Sequence, residues 1–395
     1  MIKFTKDFNF VVLIGFLLFT AISFCLIVGK NSIASLLILL CYLWVFYFSL
    51  KTFHDVNIPS SEKIIIIVLA FLSFFNVFVN CLISAGNFDF NYCKKIIMFI
   101  GALMWIEYCR HTSITLKMYY VILVLIGSVS VIAFLNFPNG FGYEGSSFFL
   151  KYSFPNTNQT GLFLSTCAII LFSPICILKK RPYFTMVLIM LAIVTSYLVY
   201  LTGCRSALLA IIFTIVSFLL DVLFNIIYLK KSIKIVFCIL PLLFLFLFIS
   251  YIDNVHLDLS FGYLEQGKSN DTRTESWIYI LKEFKGNELF GNYYNASHGT
   301  GEFQLLNTHL DVLVSYGVVP FLLFVYFLYV ILRGYNIRRL SFLQKYGIYA
   351  YLSCFITGCF EAALVAGSAG MFIASAGTLL LSNVKERTEY TYSRA

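Results

Sequence analysis

Residues 183–229 read YFTMVLIMLAIVTSYLVYLTGCRSALLAIIFTIVSFLLDVLFNIIYL, and only Arg205 and Asp221 among them are charged. The stretch is two apolar runs parted by Gly203, Cys204 and Arg205. Each run has the roughly 20 residues that an α-helix needs to cross about 30 Å of hydrocarbon. Lipid offers the backbone no hydrogen-bond partner, so such runs must satisfy themselves as helices. The reading is a pair of antiparallel spans at 183–202 and 206–229 joined by a tight turn. Arg205 then lies in the turn. At the bilayer centre it would cost roughly 2.5–3.5 kcal/mol.

The pattern recurs along the chain. Its 395 residues are 60% hydrophobic and 12% charged, and the mean hydropathy is +0.87. A water-soluble chain of this length could not hide so much apolar surface. Further spans are expected at 8–28, 32–50, 64–84, 96–109, 118–137, 156–178, 235–252, 310–332, 347–364 and 367–383. The first run is too long for a signal-peptide core and no small-residue cleavage site follows it, so it is read as a retained span. The expected fold is an all-α polytopic integral membrane protein of about 12 transmembrane helices. The run at 96–109 is short and the last two are weakly separated, so the count lies between 10 and 12.

Charge orients these spans. With the N-terminus inside, 19 of the 28 Lys and Arg residues fall in cytoplasmic segments. The short external loops hold only Lys30, Lys94, Lys95, Lys151 and Arg205, and the rest lie in one long loop. That bias puts both termini in the cytoplasm. The net charge of +9 therefore reports topology and anionic lipid, and nucleic acid is not an expected partner. Four regions follow: N-terminal spans at 1–154, central spans with the arginine turn at 155–252, an external loop at 253–308, and C-terminal spans at 309–395. Within the loop, residues 274–286 space Trp277, Ile278, Ile280, Leu281 and Phe284 as a short amphipathic helix lying at the interface would.

None of the 11 cysteines lies in the loop, which excludes a disulfide scaffold there, and no pair has zinc-finger spacing. There is no P-loop, no dinucleotide fingerprint and no His/Cys metal cluster. No metal or cofactor is expected.

Three places carry candidate chemistry. Arg205 sits where a helix beginning near Ser206 points its amides outward, and a guanidinium at a helix N-terminus is suited to an anion. The plainer alternative is an arginine snorkelling to the headgroups. Arg273 opens the interfacial helix and is either a second phosphate ligand or a surface residue paired with Glu275 or Asp271. His309, with Asp311 close by, stands where the chain re-enters the membrane, as a structural hydrogen-bonder or as a general base for a hydroxyl. Asp221 and Glu107 lie near cytoplasmic helix ends within reach of water, and Glu361 is either a cavity acid or a loop residue.

These motifs, in this order, resemble the O-antigen polymerase and O-antigen ligase superfamily of bacterial envelopes. PNTNQTG (155–161) is similar to the family's entry into a central span, and TGCRSALLA (202–210) to its arginine turn. The long loop resembles the family's with Arg273 four residues before Trp277 and then LFGNYY (289–294), and THLDVLVSYGVVPFLLF (308–324) resembles its re-entry. Leu310 and Pro320 depart from the ligase pattern and favour the polymerase branch.

The resemblance implies a glycosyltransferase of the bacterial inner membrane that joins undecaprenyl-diphosphate-linked oligosaccharide repeats into O-antigen or capsule, inverting and metal-independent, at the outer face. It implies Arg205 and Arg273 on the diphosphate and His309 as catalytic base, supported by Asn156, Asp311 and Trp277. It also implies as partners membrane lipid and a chain-length regulator and flippase of the same pathway. The alternatives are a ligase with a lipid A-core acceptor, which needs an outer membrane, and a lipid-linked oligosaccharide flippase. Few mid-span charges and no internal repeat speak against a transporter.

Overall fold

In the computed structural model the residues described are 10–54, 59–83, 90–144, 147–154, 156–224, 234, 284, 286–291, 308–335, 340–358, 378 and 380–385. The run at 235–252, nearly all of the loop at 253–308 and most of 359–383 lie outside them. So do Arg273, Trp277 and Glu361.

Eleven α-helices are traced among the described residues: α1 (Phe10–Val28), α2 (Asn31–His54), α3 (Ser60–Ile83), α4 (Phe90–His111), α5 (Leu116–Leu135), α6 (Thr157–Phe172), α7 (Pro182–Leu201), α8 (Arg205–Phe224), α9 (Thr308–Tyr316), α10 (Val318–Arg333) and α11 (Phe342–Thr357). Four short strands accompany them: β1 (Ile114–Thr115), β2 (Phe141–Glu144), β3 (Ser147–Leu150) and β4 (Val384–Lys385). Among the described residues six helical stretches are long and apolar enough to cross a membrane: five within α1, α3, α5, α7 and α8, and one, Thr157–Ile177, running through α6 into the 3-10 segment after it. The protein is predominantly helical and has the make-up of a membrane protein.

The outward surfaces agree with that make-up. Leu36, Leu39, Leu43 and Tyr47 form an exposed stripe on α2, and Met186, Met190, Ile193 and Tyr197 form another on α7. Their spacing of three and four residues keeps each row on one helix face. Water would penalise such stripes, whereas lipid tails accept them.

Inside, α6 is the central helix, buried at nearly every position from Thr157 to Leu171. It packs against α5, α7 and α8, and Tyr346 of α11 donates its hydroxyl to the Ile169 carbonyl at 2.7 Å. A second nucleus joins α2 to α4, where Trp44, Phe48, Trp105 and Tyr108 meet with several ring centroids 4.9–5.4 Å apart. Gly15 of α1 faces Trp44 and Trp105, and a Cβ there would stand 3.3 Å from the Trp44 ring.

Two expected spans change shape. The run at 310–332 is not one helix: it breaks at Gly317, whose φ of +89° ends α9 and starts α10. The run at 156–178 is α-helical to Phe172 and then 3-10 over Ser173–Lys180, where Pro174 removes a backbone donor.

The two ends of the bundle are distinct. At one end Ile114 pairs with Val384 in a parallel β1–β4 ladder, and Asn383 Nδ2 donates to the carbonyls of Cys109 and Arg110 at 2.7 and 2.9 Å. Lys234 Nζ donates to the Tyr335 carbonyl at 2.6 Å. At the other end Ser153 N donates to the Leu26 carbonyl, and the antiparallel β2–β3 hairpin leads into α6.

Candidate functional site

The turn between α7 and α8 is built by its own small residues. Thr202 Oγ1 donates back to the Val199 carbonyl at 2.7 Å and accepts from Cys204 N at 3.2 Å. Gly203 takes a φ of +66°, which an L-residue adopts only at a cost. A Cβ on Gly203 would also stand 2.8 Å from the Phe149 ring, so β3 lies directly over the turn. Cys204 Sγ and Ser206 Oγ are 3.3 Å apart. Arg205 is the first residue of α8 and is exposed. Its charge therefore sits at the positive end of the helix dipole, where an anion is attracted by both.

Beneath the turn lies the start of α6. Asn156 caps that helix, its side chain accepting from Gln159 N at 2.8 Å. One turn on, Gly161 faces the turn so closely that a Cβ would overlap that of Cys204 and stand 2.7 Å from Thr202 Oγ1. Thr160 Oγ1 donates to the Lys151 carbonyl at 2.8 Å, tying the hairpin segment to α6. The segments beginning at Asn156 and at Thr202, noted separately in the sequence, are packed against each other at Gly161, Thr202 and Cys204.

A second junction forms around residues 289–291. Gly291 carries a φ of +74°, and a Cβ on it would meet the Val314 carbonyl at 2.6 Å and Gly317 N at 2.8 Å. A Cβ on Gly317 would overlap the Leu289 carbonyl. Val318 N donates to the Glu288 carbonyl at 2.9 Å. From α3, Asn76 Nδ2 donates to the Tyr316 carbonyl at 2.5 Å and Asn80 Nδ2 to the Phe290 carbonyl at 2.8 Å. Residues 288–291, a short piece of the expected loop, are thereby locked to the break between α9 and α10.

His309 lies at the start of α9 and is buried, its ring centred 6.0 Å from that of Phe324. Asp311 is buried as well, and its Oδ1 accepts from Ser315 Oγ at 3.0 Å. Helix α9 packs on α3 and α10, whereas Arg205 belongs to the set formed by α6, α7, α8 and β3. Arg273 and Trp277 are outside the described residues, so the two arginines are not compared.

Two acids expected near water are buried instead. Asp221 of α8 is fully buried and its Oδ2 lies 2.9 Å from Lys345 Nζ of α11. Glu107 of α4 is fully buried too, with Oε1 2.9 Å from His111 Nε2 and 3.6 Å from Arg110 Nη1. Glu62, in the first turn of α3, completes this group. The hydrogen bond with Glu107 holds the His111 imidazolium above its ordinary pKa, against the opposing effect of burial. The sequence reading found no metal-ligand set, yet Glu62, Glu107 and His111 place one ligand atom each within 4.8 Å of one another. Glu107 and His111 at i and i+4 were the available signal, but Glu62 lies 45 residues before Glu107 and only the packing of α3 on α4 brings it in.

Comparison with protein-family models, with curated proteins and with solved structures finds no match to this chain.

Proposed function

We propose that the protein polymerises lipid-diphosphate-linked oligosaccharide repeats at the outer face of a bacterial inner membrane. The observation that supports this most is the seating of the 202–204 turn on Gly161, which presents Arg205 at the exposed N-terminus of α8. A guanidinium there grips two phosphate oxygens in a fork, as a snorkelling lysine would not.

In this reading Arg205 and Arg273 hold the undecaprenyl diphosphate of the donor. His309 takes the proton of the acceptor sugar hydroxyl, which attacks the anomeric carbon. The glycosidic C–O bond to the diphosphate breaks and undecaprenyl diphosphate departs, so the configuration at that carbon inverts. The arginines balance the charge that grows on the leaving group. Because His309 is buried, the reading requires that acceptor binding open its cover.

The test is polymerisation of purified lipid-linked repeats in vitro, together with the fate of the repeats in cells. Wild type makes polymer, while Arg205→Ala at equal protein level makes none and leaves single repeats outside. Normal-length polymer from Arg205→Ala overturns the proposal. Repeats accumulating on the cytoplasmic face instead support a flippase.

A further inference from the structure

We infer that Glu62, Glu107 and His111 form a zinc-binding site that clamps the start of α3 to the end of α4, apart from the proposed transfer site. The geometry carries this. His111 Nε2 lies 2.8 Å from Glu62 Oε2 and 2.9 Å from Glu107 Oε1. A ring nitrogen carries at most one hydrogen, so one N–H cannot serve both carboxylates in good geometry. Two buried carboxylates brought to one point also repel, and the single charge of Arg110, 2.9 Å from Glu62 Oε1 and 3.6 Å from Glu107 Oε1, offsets only part of that repulsion. A divalent cation placed there would take all three atoms as ligands. Tetrahedral zinc holds its oxygen and nitrogen donors about 2.0–2.2 Å from the metal. The donors then stand about 3.3–3.6 Å apart, so the two His111 contacts, at 2.8 and 2.9 Å, need to open by about half an ångström or a little more.

A separate observation points the same way. Glu107 is fully buried, and its Oε2 has no hydrogen-bond partner. Leaving a carboxylate oxygen unsatisfied in such a place is costly, and a metal that Glu107 holds through both of its oxygens would remove the cost. Arg110 Nη1 donates to Glu62 Oε1 at 2.9 Å, on the oxygen that does not face His111. Outer hydrogen bonds of this kind orient metal-binding carboxylates. The two carboxylates neutralise the cation. An imidazole in the set favours zinc over magnesium, which prefers oxygen alone. The His111 side chain is 24% exposed, so the ion has a way in and a fourth position for water.

The test uses the full-length protein in detergent, stripped with chelator and titrated with ZnCl2. Wild type is expected to bind one tight zinc per chain and to rise in Tm on binding, with no response to MgCl2 at the same concentration. Glu107→Gln and His111→Asn should each weaken binding at least about tenfold and abolish the rise, while Arg205→Ala should keep both. Absence of stoichiometric zinc in wild type overturns the inference and leaves a shared proton as the occupant. Equal zinc uptake by wild type and by either variant overturns it as well. The wild-type titration decides even where Glu107→Gln folds poorly, and His111, being partly exposed, supplies a variant that disturbs packing less.

Discussion

Gly161 of α6 and Cys204 of the α7–α8 turn meet with no room for a side-chain carbon between them. The position of Arg205 is therefore set from below, by a glycine more than forty residues earlier in the chain. Gly161→Ala must push the turn away. Overpacking of this kind costs about 1–3 kcal/mol, and here the displaced group is the presumed phosphate ligand. The expected result is a lower Tm in detergent and loss of polymer well beyond what the drop in folded protein explains. Unchanged polymer yield would show that the seating of the turn is unimportant.

Arg205 itself should behave oppositely. It is exposed, so Arg205→Ala is expected to leave the stability within about 0.5 kcal/mol of wild type while abolishing polymer. Arg205→Lys keeps charge without the fork and should retain a small fraction of the activity. Stability and polymer length measured on the same preparations separate the two effects.

Gly317 and Gly286 offer a matched pair. Both have positive φ, +89° and +92°, but a Cβ on Gly317 overlaps the Leu289 carbonyl whereas one on Gly286 meets nothing within 4 Å. Gly286→Ala should cost only the backbone strain, about 1–2 kcal/mol. Gly317→Ala should cost more, because the 289–291 segment must also leave α9 and α10. Thermal unfolding of the two variants checks the order, and equal losses would refute the role of the junction.

The Asp221–Lys345 pair predicts a third contrast. Lys345→Met leaves a fully buried Asp221 without its cation, which in such settings costs about 3–5 kcal/mol. Adding Asp221→Asn removes the stranded charge, so the double variant is expected to be more stable than Lys345→Met alone. A double-mutant cycle of Tm values gives the answer.

Chelation should separate the two ends of the molecule. If the transfer site relies on guanidinium groups and the zinc site clamps α3 to α4, EDTA lowers Tm but leaves the initial rate of polymerisation unchanged. An immediate loss of rate would place a metal in the reaction itself.

The helices from α1 to α8 were legible because each is an apolar run bounded by charges or glycine, and hydrocarbon admits one backbone solution for such runs. The tight turn at Arg205 was legible for the same reason. The break at Gly317 was not, since the apolar run continues through Val318, Val319 and Phe321 and the packing of the 289–291 segment against Gly317 is not visible in it. Nor was the burial of Asp221 and Glu107: an acid near a helix end reads as wet until a partner from another helix is seen to cover it. The arginine turn and the PNTNQTG segment were read as separate motifs. That they touch depends on α6 packing against α8, which periodicity does not encode.

The β1–β4 ladder joins residues 114–115 to residues 384–385. In a chain made from its N-terminus onward, β1 waits without its partner strand while about 270 further residues are made. The junction where Arg110, Asn383 and Tyr335 gather is thus completed long after α4 is made. That junction rests on contacts between residues about 270 positions apart, which no local folding event can supply.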